Sequence, residues 1–169
     1  MRPLPLEKVY PITSLHNRRG WTHFELVERY LQGGGRFFQV RDTSLSDSSF
    51  YPQLLKVRSL CDPFEAKFLV NNRVDLALAV KAHGVHLGQD DLPVAAARKV
   101  LGNEALIGLS THNRDQFLKA QRDDIDYLAL GPFFPTSTKA TENPPVGLET
   151  LRELVAESCM PVVAIGGIS

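Results

Sequence analysis

A parallel α/β fold is what the sequence predicts, either a doubly wound open sheet or a (β/α)8 barrel. Three observations predict it. Short β-rich runs recur at intervals of roughly 20 to 30 residues, as βα units require. The stretches between them carry apolar residues at helical spacing and begin or end on capping residues. No G-x-G-x-x-G follows the first strand, which weakens the dinucleotide-binding form of the open sheet.

The first strand reads over residues 9–13. The first helix reads over 22–33, with Phe24, Val27 and Leu31 on one face. Thr22 and Glu25 have capping-box spacing there, and Gly33-Gly34-Gly35 stops the helix. The second strand is 37–41. A helix over 46–60 follows, with Phe50, Leu54, Val57 and Leu60 inward and Ser46 or Asp47 as cap. Pro52 suits a first turn and moves the expected start toward Tyr51. Strand three is 67–71, a short helix covers 74–80, and strand four is 84–87. Pro93 opens a helix that runs to Leu101, at its first position. Strand five (106–110), a helix (114–122), strand six (127–131), a polar loop (132–146), a helix (148–158) and strand seven (161–165) complete the pattern. The sequence stops at Ser169, whereas a barrel needs roughly 200 residues or more. Either the sheet is open, or the C-terminal helix, strand eight and last helix of a barrel are missing. No linker or low-complexity tract divides residues 1–169, so one domain is expected.

Composition narrows the function classes. Nineteen Lys and Arg balance 19 Asp and Glu, giving zero net charge and none of the basic footprint of a nucleic-acid binder. The same balance gives no attraction to an anionic membrane. No apolar run approaches the ~18 residues of a membrane span, and residues 1–6 have no signal-peptide core. Cys61 and Cys159 stand alone, so neither a disulfide framework nor a zinc knuckle is expected. A cytoplasmic protein with reduced thiols fits best.

Polar residues gather just after the strands, where parallel α/β folds place their active sites. Gln39 and Arg41 share one face at the end of strand two, and a charge there is unusual in a covered sheet. Asn71 and Asn72 follow strand three, and Asp90 and Asp91 follow strand four; each pair could instead cap the next helix. His86 reads as an inward-facing barrel residue or a packed strand histidine rather than a metal ligand, and Ser110 and His112 follow strand five. Thr136-Ser137-Thr138-Lys139 offers hydroxyls and a cation in one loop, which suits a phosphate or diphosphate, though solvated Ser/Thr loops look the same. Gly166-Gly167 lets backbone N–H groups approach an anion. Arg41, Lys139 and a hard-cation ligand in Asp91 together suggest Mg2+-assisted departure of diphosphate.

These motifs resemble one family. YPIT (10–13), QVRD (39–42), VNNRVD (70–75), GVHLGQDD (84–91), GPFFPTSTK (131–139) and AIGGI (164–168) follow the order and spacing of the thiamine-phosphate synthases. The resemblance implies a (β/α)8 barrel truncated after strand seven. It implies a transferase that joins hydroxymethylpyrimidine diphosphate to hydroxyethylthiazole phosphate and releases diphosphate with Mg2+. Carried over by position, Gln39, Arg41, Asn71, Ser110 and Lys139 hold the pyrimidine diphosphate. Arg41, Lys139 and Ser110 are the expected catalytic residues, and Val40, Asp42 and Thr43 complete the strand-two motif. Thr136, Ser137, Thr138 and Gly166 hold the thiazole phosphate. Asp91 and Asn72 take the Mg2+ positions. Two positions depart from the family pattern: Thr43 stands where a lysine is usual, and Asn72 where an aspartate is usual. Both changes weaken the grip on a departing Mg2+-diphosphate. Partners are phosphorylated small molecules, and a homodimer is implied by the resemblance. A thiazole tautomerase with His112 as acid/base is an alternative, disfavoured by the Thr-Ser-Thr-Lys block. A non-catalytic binder of thiazole or thiamine phosphate is another.

Overall fold

The computed structural model describes residues 8–14, 20–135 and 143–168. Seven strands and six α-helices alternate along them: β1 (Ile12–Thr13), α1 (His23–Gln32), β2 (Phe37–Val40), α2 (Asp47–Cys61), β3 (Lys67–Asn71), α3 (Val74–Ala79), β4 (Gly84–Leu87), α4 (Val94–Leu101), β5 (Leu106–Thr111), α5 (Arg114–Ala120), β6 (Tyr127–Leu130), α6 (Leu148–Glu157) and β7 (Val162–Ala164). Every neighbouring pair is parallel, and the strand order is the chain order. A doubly wound sheet would reverse direction at a switch point, and this sheet has none.

The sheet is curled. Tyr10, just before β1, and Tyr127, on β6, sit five strand positions apart, about 24 Å in a flat sheet. Their hydroxyls are 2.9 Å apart, which only a curled sheet permits. Alternate strand residues face two different layers. Phe38, Val40, Phe68, Val70, Val85, Leu87, Ile107, Leu109, Leu128 and Leu130 join side chains from all six helices in one apolar layer. The other face carries a small inner cluster of Phe37, Leu69, Leu106 and Tyr127, with Tyr10 and Val163 against it. Strands covered on both faces read as continuous apolar runs, and for that reason their positions were visible in the sequence.

Local details correct some expectations. In α1 the Thr22–Glu25 capping box forms, but the buried stripe is His23, Val27 and Leu31, with Phe24 only half-buried. In α2 the helix begins at Asp47 rather than near Tyr51, with Pro52 inside it. Pro52 and Ser48 are both exposed, so water can serve the Ser48 carbonyl that the missing N–H would have bonded. Cys61, not Leu60, completes the fully buried stripe of that helix. Pro93 is the N-cap of α4 rather than its first helical residue. No helix among the described residues is long and apolar enough to cross a membrane.

Candidate active site

Most of the candidate residues lie at the carboxyl ends of adjoining strands. Gln39 is the last inward residue of β2, and Arg41 follows it, half-buried, with its backbone N–H on Thr13 Oγ1 at 3.4 Å. Asn71 closes β3, opposite His86 on β4. Ser110 lies near the end of β5, half-buried. Gly166 follows β7. Thr136, Ser137, Thr138 and Lys139 lie outside the described residues.

The inner face carries a line of hydrogen bonds. Gln39 Nε2 donates to Tyr10 Oη at 3.1 Å, and Tyr10 Oη lies 2.9 Å from Tyr127 Oη. Tyr127 Oη is 2.6 Å from His86 Nδ1, and His86 Nε2 is 2.8 Å from Ser110 Oγ. His86 is thus a packed strand histidine, and it touches a residue expected in the chemistry. Gln39 is buried, and its Oε1 has no partner among the described residues.

The strand-two motif divides by register. The Val40 side chain is fully buried in the helix-side layer, so Val40 can serve a ligand through its backbone alone. Asp42 turns the loop: Oδ1 accepts from the Ser44 and Leu45 N–H groups at 2.7 Å each, and Oδ2 from His23 Nε2 at 3.1 Å. Burial alone would raise the Asp42 carboxyl, but the Leu45, Ser44 and His23 donors outweigh it and hold it below the usual range. Burial likewise pushes the His23 imidazole down, more than Asp42 pulls it up. His23 is therefore neutral near pH 7 and accepts from the Thr13 hydroxyl at Nδ1, 2.8 Å away. This Thr13–His23–Asp42 run ties α1 to the loop that carries Arg41. Thr43 is exposed beside it.

None of Asn71, Asn72, Asp90 and Asp91 caps the next helix. The N-cap of α3 is Arg73, and no side chain caps α3 or α4. Asn72 holds a left-handed turn, φ 62°, with its N–H on the His86 carbonyl at 2.8 Å. Asp91 Oδ2 accepts from the Gly88 N–H at 2.6 Å and shapes the turn after β4. Gln89 Nε2 donates to the Ser110 carbonyl at 2.6 Å. Among the described residues no three His, Cys, Asp or Glu side chains come together as a metal cage. One carboxylate and one amide, in the loops after the adjoining strands β3 and β4, are oxygen donors of the kind that fit Mg2+.

The ends of β6 and β7 are joined. The Phe133 N–H donates to the Ile165 carbonyl at 3.1 Å, and the Phe134 N–H to the Gly166 carbonyl at 3.0 Å. A Cβ on Gly166, φ 97°, would lie 2.6 Å from Pro132 Cα, so glycine is needed there for this contact as well as for any anion. His112 is anchored too, with Nδ1 2.7 Å from the Gly131 carbonyl oxygen. Sequence reasoning missed Tyr10, His23 and Tyr127. Polar residues on otherwise apolar inward registers, and Gly108 opposite Tyr127, were the available signals.

A curled parallel sheet, with its polar side chains at the strand carboxyl ends, defines an α/β enzyme of the kind that works at the mouth of a parallel barrel. The family model described as thiamine monophosphate synthase matches residues 9–169, and the chain belongs to that family. It is 42% identical over 162 residues to the thiamine-phosphate synthase of Chloroflexus aurantiacus, covering 96% of this chain and 74% of that protein. It is 41% identical over 160 residues to that of Caldicellulosiruptor bescii, covering 95% and 73%. Among solved structures it resembles the thiamine phosphate pyrophosphorylase from Pyrococcus furiosus (TM-score 0.82, 37% identity, 95% of this chain and 75% of that one). A 2-keto-3-deoxy-6-phospho-gluconate aldolase from Zymomonas mobilis shares the fold at TM-score 0.61 and 14% identity, over 95% and 71% of the two chains.

Proposed function

We propose that the chain works as a thiamine-phosphate synthase, joining hydroxymethylpyrimidine diphosphate to hydroxyethylthiazole phosphate with loss of diphosphate. The observation that carries this reading is the family match over residues 9–169; the curled parallel sheet, with Gln39, Asn71 and Ser110 toward strand carboxyl ends, supports it. We read that sheet as seven strands of a (β/α)8 barrel in a single domain.

The bond between the pyrimidine methylene carbon and the diphosphate oxygen breaks, and the thiazole nitrogen bonds to that carbon. No protein nucleophile is required. The chain's task is to hold the leaving group, spread its charge and keep water from the electron-poor carbon. Arg41 and Lys139 supply cations and Ser110 a hydroxyl donor to the diphosphate. Gln39 and Asn71 orient the pyrimidine end. Thr136, Ser137, Thr138 and Gly166 hold the thiazole phosphate. Asp91 and Asn72 would hold Mg2+, which when bound neutralises charge on the diphosphate.

Incubating the purified protein with both precursors and Mg2+, and measuring thiamine phosphate by its fluorescent oxidation product, tests the proposal. Product formation equal to diphosphate released is expected. Tight binding of the thiazole phosphate with no product would overturn it in favour of a binder.

A further inference from the structure

We propose that Tyr127 is a positioning residue: it fixes the His86 tautomer and so leaves the Ser110 hydroxyl hydrogen free to donate to the substrate diphosphate. The inference rests on the reading above for the identity of that anion. The geometry itself does not depend on it.

The proposed direction of the line starts at Gln39, whose Nε2 can only donate. Gln39 Nε2 carries hydrogens and donates to Tyr10 Oη. Tyr10 then sends its single O–H to Tyr127 Oη, 2.9 Å away. Tyr127 in turn has one hydrogen, and it points to His86 Nδ1 at 2.6 Å. A ring nitrogen that accepts carries no proton, so the neutral imidazole holds its N–H at Nε2. That N–H lies 2.8 Å from Ser110 Oγ, which accepts it. Ser110 therefore keeps its own hydrogen for a ligand. Tyr10, Tyr127 and His86 each accept on one side and donate on the other; the opposite direction from Tyr127 onward would put the His86 proton on Nδ1 and make Ser110 the donor to Nε2.

The surroundings are built for the phenol hydroxyl. Tyr127 is fully buried; its ring stacks on His86 at 5.5 Å and meets Tyr10 edge-on at 5.7 Å. A Cβ at Gly108 would lie 2.1 Å from Tyr127 Cζ, so the glycine clears the volume that the phenol fills. Burial pushes both phenols above their ordinary range, so both remain protonated donors. Phenylalanine would fill the same space, and only the links to Tyr10 and His86 need the oxygen.

The test uses the whole chain labelled with 15N-histidine, with the His86 signals identified by their loss in His86→Asn. The wild type is expected to show Nε2 protonated and Nδ1 bare, and Tyr127→Phe to release the ring to a mixture of tautomers. In turnover, Tyr127→Phe should lower kcat by about tenfold with the KM for thiazole phosphate unchanged. Adding it to Ser110→Ala should cost little more than Ser110→Ala alone, because both act at one hydroxyl. A wild-type Nδ1–H tautomer, or losses that multiply in the double variant, would overturn the inference. If Tyr127→Phe does not fold, the wild-type tautomer decides. If the wild type makes no thiamine phosphate, the functional reading falls, and the two tautomer measurements still decide the role of Tyr127.

Discussion

Thr43 is exposed two residues after Arg41, and Asn72 occupies a left-handed turn that asparagine and aspartate both tolerate. Restoring charge at the two positions therefore asks nothing new of the backbone. Thr43→Lys with Asn72→Asp is predicted to raise kcat/KM by at least about tenfold, through better grip on the Mg2+-diphosphate. Steady-state kinetics over a Mg2+ series check this, and unchanged kinetics with substrate still bound would contradict the site assignment. His83 makes a second residue-scale prediction. Burial, then the nearby Arg58 and Lys67 charges, push its imidazole from 6.5 down to about 4, and Nδ1 accepts from the Phe68 N–H. The unfolded chain therefore binds the extra proton first as pH falls. The stability this gives is fully present above about pH 6.5 and is lost progressively down to about pH 4. Urea melts at pH 7 and pH 5 should show a smaller loss for His83→Gln than for wild type; equal losses would contradict this. At this scale the sequence showed Arg41, Ser110 and Asp91 as polar intrusions after apolar strands. It did not show that Asp42 would bond its own loop, because Ser44, Leu45 and His23 meet it only once the turn has formed.

At the scale of elements, each apolar run became a strand within a few residues of its expected bounds, because double-faced burial leaves few other options for such runs. Helix phase was harder. His23 lies inward because Thr13 and Asp42 satisfy both its nitrogens, a solution that no hydrophobic pattern encodes. The strands are unequally covered. β2, β4 and β6 are buried throughout, whereas β7 is half-buried to exposed and β1 half-buried. Both β1 and β7 pair on one side only among the described residues.

For the whole molecule, the curl matters most. It brings a residue before β1 against β6 and turns separate strand ends toward one mouth. Local sequence carries no record of that closure, which is why Tyr10, His86 and Tyr127 were not linked in advance. The opposite end of the sheet offers a competing cavity of about 400 Å3, lined by Lys67, His83, Glu104 and Leu106 among others. It holds a cation and a histidine of its own. The most direct test of the account is therefore a crystal structure of this protein with the pyrimidine diphosphate and Mg2+. The account predicts the diphosphate beside Arg41 and Ser110, at the carboxyl ends of β2 and β5. A diphosphate seated near Lys67 and His83, with Arg41 and Ser110 untouched, would contradict it.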